Sequence, residues 1–337
     1  NYSSSGVVWS WKAGLNYEPF DDLRIRYTES RDIRAPTLND LYSGQTIAGV
    51  TVNDPHTGRT GNTFVMGGGN QALVPEVART TTIGAVYRPS WFPRFGLSVD
   101  YFNIDIANAI GTVAGNNADV LRECEVSGGT SPLCALIVRP LPFSDHSAAN
   151  FPTSVRSTNL NVASQFTHGI DVEASYRVAL ADIVRSLPGA LDLRLLYTYQ
   201  PVQKTRSFAS SPVVNNAGVV GLAANRVTLL TGYTVGPLSV NWQARYSSPV
   251  KQTGNPLQFY AVPELPSYML HDLSVAYRFK VAGHDLQASL AISNLFDKQP
   301  RIAPAPNFTG TPGNNSATAG DDDLVGRYYT FGLKAQY

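Results

Sequence analysis

The chain has 337 residues, with 26 basic and 25 acidic side chains, and a formal net charge of +1. Charged residues make up only 15% and apolar residues 43%. That balance excludes a basic nucleic-acid-binding surface, the apolar content excludes wholesale disorder, and no apolar run approaches the ~20 residues of a membrane-spanning helix.

Helical periodicity is almost absent and period two dominates, the pattern of strands with one apolar face. In chain order, residues 6–17 place Val7, Trp9, Trp11, Ala13, Leu15 and Tyr17 on one face. Residues 23–30 set Leu23, Ile25 and Tyr27 against Arg24, Arg26 and Thr28. Segments at 79–88 and 95–106 carry Ile83, Ala85 and Tyr87, then Phe95, Leu97, Val99 and Tyr101. Ile170, Val172, Ala174 and Tyr176 stand opposite Asp171, Glu173 and Ser175, and Leu191 to Tyr199 alternate with Asp192, Arg194 and Thr198. The same alternation marks 225–235, 238–246, 273–279, 286–293 and 326–337. These are eleven expected strands of about ten residues, against a mean of ~5–6 in soluble proteins and the ~9–11 of a tilted bilayer-spanning strand.

The connections alternate in length. Short ones fall at 18–22, 88–94, 178–189, 236–237 and 280–284; long ones at 29–78, 107–160, 200–224, 247–268 and 294–326. Tight turns at one end and long loops at the other are the habit of outer-membrane barrels. Tyrosines cluster at strand ends, as an interfacial girdle requires. The expected fold is therefore all-β, an antiparallel transmembrane barrel. Eleven is odd, whereas bacterial barrels have even strand numbers, and an open edge cannot stand in lipid. The expectation is that 1–337 is the C-terminal part of a longer barrel, with more strands upstream.

Five stretches then carry a family likeness. The run 29–42, ESRDIRAPTLNDLY, resembles the "S-x-x-x-R-A-P-x-L-x-E-L-Y" stretch of TonB-dependent outer-membrane receptors, with Asp40 in place of the usual Glu. The runs 69–76 (GNQALVPE), 99–106 (VDYFNIDI), 169–173 (GIDVE) and 294–300 (NLFDKQP) resemble further elements in that family's order. The terminal run 326–333 and the aromatic last residue also fit. The resemblance implies a 22-stranded barrel around an N-terminal plug. It implies uptake of a scarce nutrient, such as a ferric siderophore, a cobalamin-like ligand or an oligosaccharide, coupled to a TonB-type energy-coupling protein in the bacterial outer membrane. Further implied partners are outer-membrane lipid and the barrel-assembly machinery, which reads the last strand at Tyr329, Phe331 and Tyr337. Plug and coupling segment are not among these residues. A passive porin and an outer-membrane hydrolase are the competing readings.

On the strands, Arg24, Arg26, Asp171, Glu173, Asp192, Arg194 and Arg245 are expected to face the lumen or plug, because Arg facing lipid at midplane costs ~2–4 kcal/mol. Arg31 and Arg34 are expected at the outer rim, facing lumen or loop base and pairing with carboxylates. The loops are the expected ligand surface, with His56, Arg59, Arg31 and Arg34 as substrate-contact candidates. Asn117 to Glu125 could form a helical turn. Cys124 and Cys134, the chain's two cysteines, are read as a disulfide in an oxidising compartment, the other reading being two unrelated buried thiols. Asp321, Asp322 and Asp323 are read as solvated rather than as a calcium site. The five histidines (His56, His146, His168, His271, His284) show no catalytic or metal-ligand spacing, so no catalytic residue, cofactor or metal is expected.

Overall fold

The period-two segments hydrogen-bond to one another in chain order, forming one antiparallel meander of eleven long strands. The structure is a computed structural model and describes residues 6–254, 260, 262–304, 315–316 and 322–336. Its strands are β1 (Trp11–Phe20), β2 (Leu23–Arg34), β3 (Thr46–Asp54), β4 (Arg59–Gly68), β5 (Glu76–Tyr87), β6 (Phe95–Ala114), β7 (Ile137–Val138), β8 (Ser154–Ala179), β9 (Ala190–Arg206) and β10 (Val214–Asn215). There follow β11 (Asn225–Val235), β12 (Leu238–Ser247), β13 (Val250–Lys251), β14 (Glu264–Leu265), β15 (Tyr268–Val281), β16 (His284–Ser293), β17 (Ala303–Pro304), β18 (Asn315–Ser316) and β19 (Tyr328–Gln336). Two α-helices, α1 (Leu38–Tyr42) and α2 (Ala118–Val126), lie in connections. No helix among the described residues is long and apolar enough to cross a membrane.

The meander runs β1-β2-β5-β6-β8-β9-β11-β12-β15-β16-β19. It is a partial barrel whose edge strands β1 and β19 have no second partner strand among the described residues. Register keeps the two faces distinct across the whole width. One row reads Tyr17, Ile25, Ala85, Val99, Val172, Tyr197, Val227, Tyr246 and Met269. The adjacent row, one residue along, reads Asn16, Arg26, Gly84, Asp100, Asp171, Thr198, Arg226 and Ser247. A slip of one residue would exchange those faces. Short turns hold one end; at β15–β16, Ala282 and Gly283 both take positive φ (51° and 84°), the geometry of a two-residue type I′ hairpin.

The long-loop end departs from the expectation of plain loops. The connection after β2 holds α1 and the β3–β4 hairpin, which pairs in parallel with β8 from Phe64↔Ser154 to Gly68↔Thr158. Its Gly, Thr and Asn content hid an alternation of Val50, Val52 and Val65, whose face packs into a hydrophobic cluster. Strand β6 continues to Ala114, past a register shift between Ile106 and Ala109. Asn108 sits there at φ 55°, a conformation Asn tolerates better than most residues; the inserted residue breaks the alternation that sequence reading follows. Strand β8 has 26 residues; at ~3.3 Å each it reaches far beyond a ~30 Å hydrocarbon layer. The first strand begins at Trp11 rather than residue 6: its register on β2 stops at Trp11↔Arg31.

Above the sheet, Val52, Val113, Val120, Leu121, Leu133, Leu136, Ile137, Val155 and Phe208 form a buried cluster. The long-loop end is thus a small packed cap built on the projecting halves of β6 and β8.

Candidate functional site

The polar face of the meander is a wall of paired charges. Arg26 on β2 reaches across β5 to Asp100 on β6, with Nε 2.8 Å from Oδ1. The intervening residue is Gly84, where a Cβ would lie 1.9 Å from that carboxylate; only glycine leaves room for the bridge. Arg194 donates to Glu173 (2.8 Å) and Arg177 pairs with Asp192 (3.1 Å). Arg245 pairs with Asp272 (3.0 Å) and Arg24 with Glu18 (2.5 Å). Asp171 accepts from the Thr198 hydroxyl at 2.7 Å. The seven wall residues singled out from sequence therefore each have a partner of complementary chemistry on the wall. These exposed pairs are worth ~0–1 kcal/mol apiece; their consequence is a surface without concentrated charge. A groove of 470 Å³ opens on this wall, bordered by Arg177, Asp192, Arg194, Gln243, Asp272 and Ser274.

At the rim, two of the sequence motifs meet. Arg34 binds Glu76 through two parallel bonds (2.5 and 2.6 Å), the bidentate geometry that makes such pairs strong, and Glu76 also accepts the Ile110 amide at 2.6 Å. Thr37 and Asp40 cap α1 reciprocally: the Thr37 hydroxyl accepts the Asp40 amide (3.1 Å), and the Asp40 carboxylate accepts the Thr37 amide (2.9 Å). The same Asp40 offers its carbonyl to the Asn70 amide (2.8 Å). Gly69 lies so close to Leu41 that a Cβ would stand 2.5 Å from its backbone. In the last motif, the Asn294 side chain accepts the Lys298 amide (2.7 Å) and donates to its carbonyl (3.0 Å). These motif residues knit strands to loops.

Arg31 does not join the polar row. It shares a face with Ile25, Tyr27 and Glu29, and its guanidinium donates to the Trp9 carbonyl. Alternation places Arg34 on the polar face and Arg31 on the other, so of the two expected settings, lumen or loop base, Arg31 does not take the lumen one. Asp322 is not solvated: it is fully buried against the Arg301 guanidinium (2.8 Å). Asp321 and Tyr337 lie outside the described residues. Tyr329 and Phe331 stand on the apolar face, opposite Ile292 and Leu290.

The cap is built around buried polar groups. Asp54, at the end of β3, is wholly buried and receives Arg139 at 2.7 and 2.8 Å. The Thr57 hydroxyl adds a bond of 2.8 Å. Burial would push the Asp54 carboxyl up, but the bonds from Arg139 and Thr57 outweigh it and hold it below the usual range. Arg139 donates also to the Asn150 carbonyl (2.9 Å), and the Asn150 amide group ties Pro142 and Asp145 (3.0 and 2.6 Å). Cys124 and Cys134 are disulfide-bonded, joining α2 to the 3₁₀ turn Pro132–Leu136. His56 is buried at the β3–β4 tip, with Nδ1 2.8 Å from Glu125 and Nε2 3.1 Å from the Asp145 carbonyl. Arg59 lies over the Phe151 ring and donates to the Ala148 carbonyl (3.2 Å). His56 is thus engaged inside the cap, and Arg59 on its exposed surface. Sequence reading missed Asp54, Arg139 and Asn150; they meet across 85 residues, and no local spacing reveals them.

A family model described as "TonB dependent receptor-like, beta-barrel" matches residues 1–295. The ferric enterobactin receptor PfeA of Pseudomonas aeruginosa superposes with a TM-score of 0.62 at 18% identity, covering 98% of this chain and 40% of that one. The siderophore receptor PirA of Acinetobacter baumannii gives 0.63 at 15% identity, covering 99% and 42%. The FrpB iron transporter of Neisseria meningitidis gives 0.54 at 15%, covering 96% and 38%. The chain spans about two-fifths of the length of these structures. No curated protein matches it in sequence.

Proposed function

Because the chain belongs to the TonB-dependent receptor β-barrel family, we propose that it forms the C-terminal half of an outer-membrane receptor that imports a scarce ligand, drawing energy from a TonB-type coupling protein. The family and the similar structures are receptors and transporters rather than enzymes. The observation that carries the reading is the division of the meander into an apolar face and a charge-paired polar face, crowned at one end only by a packed cap. The apolar face meets lipid, with Tyr and Trp at its margins. The polar face meets water or a plug contributed by the rest of the receptor. Barrel closure, around a plug and with about as many strands again, completes the wall.

Ligand choice belongs to the cap and rim. A ferric siderophore is the favoured class, supported by the siderophore and iron receptors among the structures of similar fold. The last strand offers Tyr329 and Phe331 outward to the barrel-assembly machinery. The test is uptake of radiolabelled ferric siderophores by cells that carry or lack the gene, with and without the coupling protein. Loss of uptake in both deletions is expected. Uptake that survives loss of the coupling protein but not of the receptor gene would mark a passive channel instead.

A further inference from the structure

Arg226 stands apart from the paired charges of the polar wall. It lies second in β11, opposite Thr198 of β9 and Ser247 of β12. The residue is half-buried, and its Nε is shielded from water with no hydrogen-bond partner. Among the described residues no acceptor pairs with its guanidinium. Lys12 and Arg278 on the same face also lack a carboxylate partner, but both are exposed, where water serves them. A half-buried cation with a dry, unpaired donor is costly and calls for an acceptor.

The carboxylates around it are already engaged. Asp272 pairs with Arg245, Asp322 pairs with Arg301, and Asp171 accepts from Thr198, which stands between it and Arg226. Arg245 is the diagonal neighbour of Arg226 on β12, and Arg301 donates to the Ser247 hydroxyl at 3.4 Å. Three guanidiniums therefore gather around Ser247, and two of them have a carboxylate of their own. Elsewhere Arg26, Arg34 and Arg301 each grip a carboxylate with Nε and Nη2 together, the fork that suits paired oxygens. Arg226 carries the same fork without such a group.

Its position says where the acid comes from. Val235, at the short-turn end of β11, lies nine residues away. That is ~30 Å along the strand, or about 23 Å in height at a tilt of ~40°, against an apolar band ~25 Å tall. Arg226 is thus at the top of the wall, below the long loops, on the route of a ligand arriving from outside. It borders a pocket of about 250 Å³, lined also by Thr228, Arg245, Ser247, Tyr268 and Leu270. Tyr268 and Leu270 are buried and give the pocket an apolar floor, which strengthens an ionic contact by lowering the local dielectric.

Resting on the reading of the chain as part of a ferric-siderophore receptor, we propose that Arg226 binds an acidic, two-oxygen group of the imported ligand, a carboxylate or a catecholate, and so favours anionic complexes over neutral ones. A small rotation of the flexible side chain turns its Nε–Nη edge onto such a group. The pocket is smaller than the ~300–1,000 Å³ of sites that enclose a whole small ligand. It takes one arm of the ligand, with the Ser247 and Thr228 hydroxyls as further donors.

The test uses the whole receptor with its plug, purified from outer membranes, as wild type, Arg226→Gln, Arg226→Lys and Arg278→Gln. Three ferric probes are titrated by quenching of intrinsic fluorescence: an anionic citrate complex, an anionic tricatecholate and a neutral trihydroxamate. At least one anionic probe should bind. Arg226→Gln should weaken it about 10- to 150-fold, the equivalent of one charge-assisted contact; Arg226→Lys, which keeps the charge and loses the fork, should weaken it less. Arg278→Gln should change nothing, and any affinity for the neutral probe should be the same in all four proteins. Unchanged electrophoretic heat-modifiability shows that the variants fold. Equal affinity of wild type and Arg226→Gln for the anionic probes overturns the proposal and leaves the receptor reading standing. Binding of the neutral probe alone does the same. A receptor that binds none of the three overturns the ferric-siderophore reading and the proposal with it. Hydrogen exchange separates the other source of an acid: a plug that loses protection in Arg226→Gln while ligand affinity is unchanged would assign the guanidinium to a plug carboxylate and overturn the proposal.

Discussion

Arg139→Ala tests the idea that the cap is a folded unit rather than a loose lid. The Arg139 side chain is 8% exposed and Asp54 0%. The truncation removes bonds of 2.7 and 2.8 Å to Asp54 and one of 2.9 Å to the Asn150 carbonyl. Asp54 is left with the Thr57 hydroxyl at 2.8 Å and the His56 amide at 3.4 Å. Each charge-assisted bond is worth ~1.5–3 kcal/mol, and removing one partner of a buried pair costs ~3–5 kcal/mol. A loss of about 3 kcal/mol lowers amide protection roughly 150-fold, since ~1.4 kcal/mol is tenfold. Hydrogen exchange of the intact receptor should show that loss across β3, β4 and residues 115–153, while β11 and β12 keep theirs. Arg122→Ala, which breaks the exposed pair with Asp119, is the control and should cost ~0.3–0.5 kcal/mol. An Arg139→Ala effect no larger than the control would refute the buried-pair argument. Equal loss in the membrane strands would refute the cap's independence.

Leu195 and Leu196 are adjacent in β9 but face opposite ways, beside Ala174 and Glu173 respectively. Leu195→Arg should cost ~2–4 kcal/mol and reduce heat-modifiable barrel in the membrane, whereas Leu196→Arg should cost ~0–1 kcal/mol. The disulfide closes a loop between cysteines 10 apart, for which chain entropy gives about 3 kcal/mol; Cys124→Ser with Cys134→Ser should speed proteolysis within 115–153 and leave the barrel intact. Asp54 titrates below the usual range in the folded cap. Its contribution is therefore complete above the unfolded value of ~3.9 and is lost as pH falls through the lower folded one. Cap protection should hold from pH 7 to about 5 and decline below about 4, and Asp54→Asn should remove that acid step.

The membrane strands were legible because each has one partner face and one solvent or lipid face, so the alternation survives in the residues. Ile25, Val99, Val172 and Val227 fall on one register row for that reason. The cap was not legible. Its hairpin hides behind Gly and Thr, Asn108 shifts the phase of β6, and its polar centre joins Asp54 to Arg139 across 85 residues. Arg31 and Arg34 part company because, in a strand, an odd separation puts two residues on opposite faces. Motif residues such as Gly69, Glu76 and Asn294 hold the rim together.

The central claim is that one face of this meander meets lipid and the other water. Single cysteines placed at 191–198 of β9, with Cys124 and Cys134 bonded to each other, can be spin-labelled in a bilayer. Collision with oxygen, concentrated in lipid, is then compared with collision with a water-soluble nickel chelate. The account predicts period two: oxygen access peaking at 191, 193, 195 and 197, nickel access or plug-induced immobilisation at 192, 194, 196 and 198. Equal nickel access at both sets of positions would mean that neither face is in lipid, and would contradict the account.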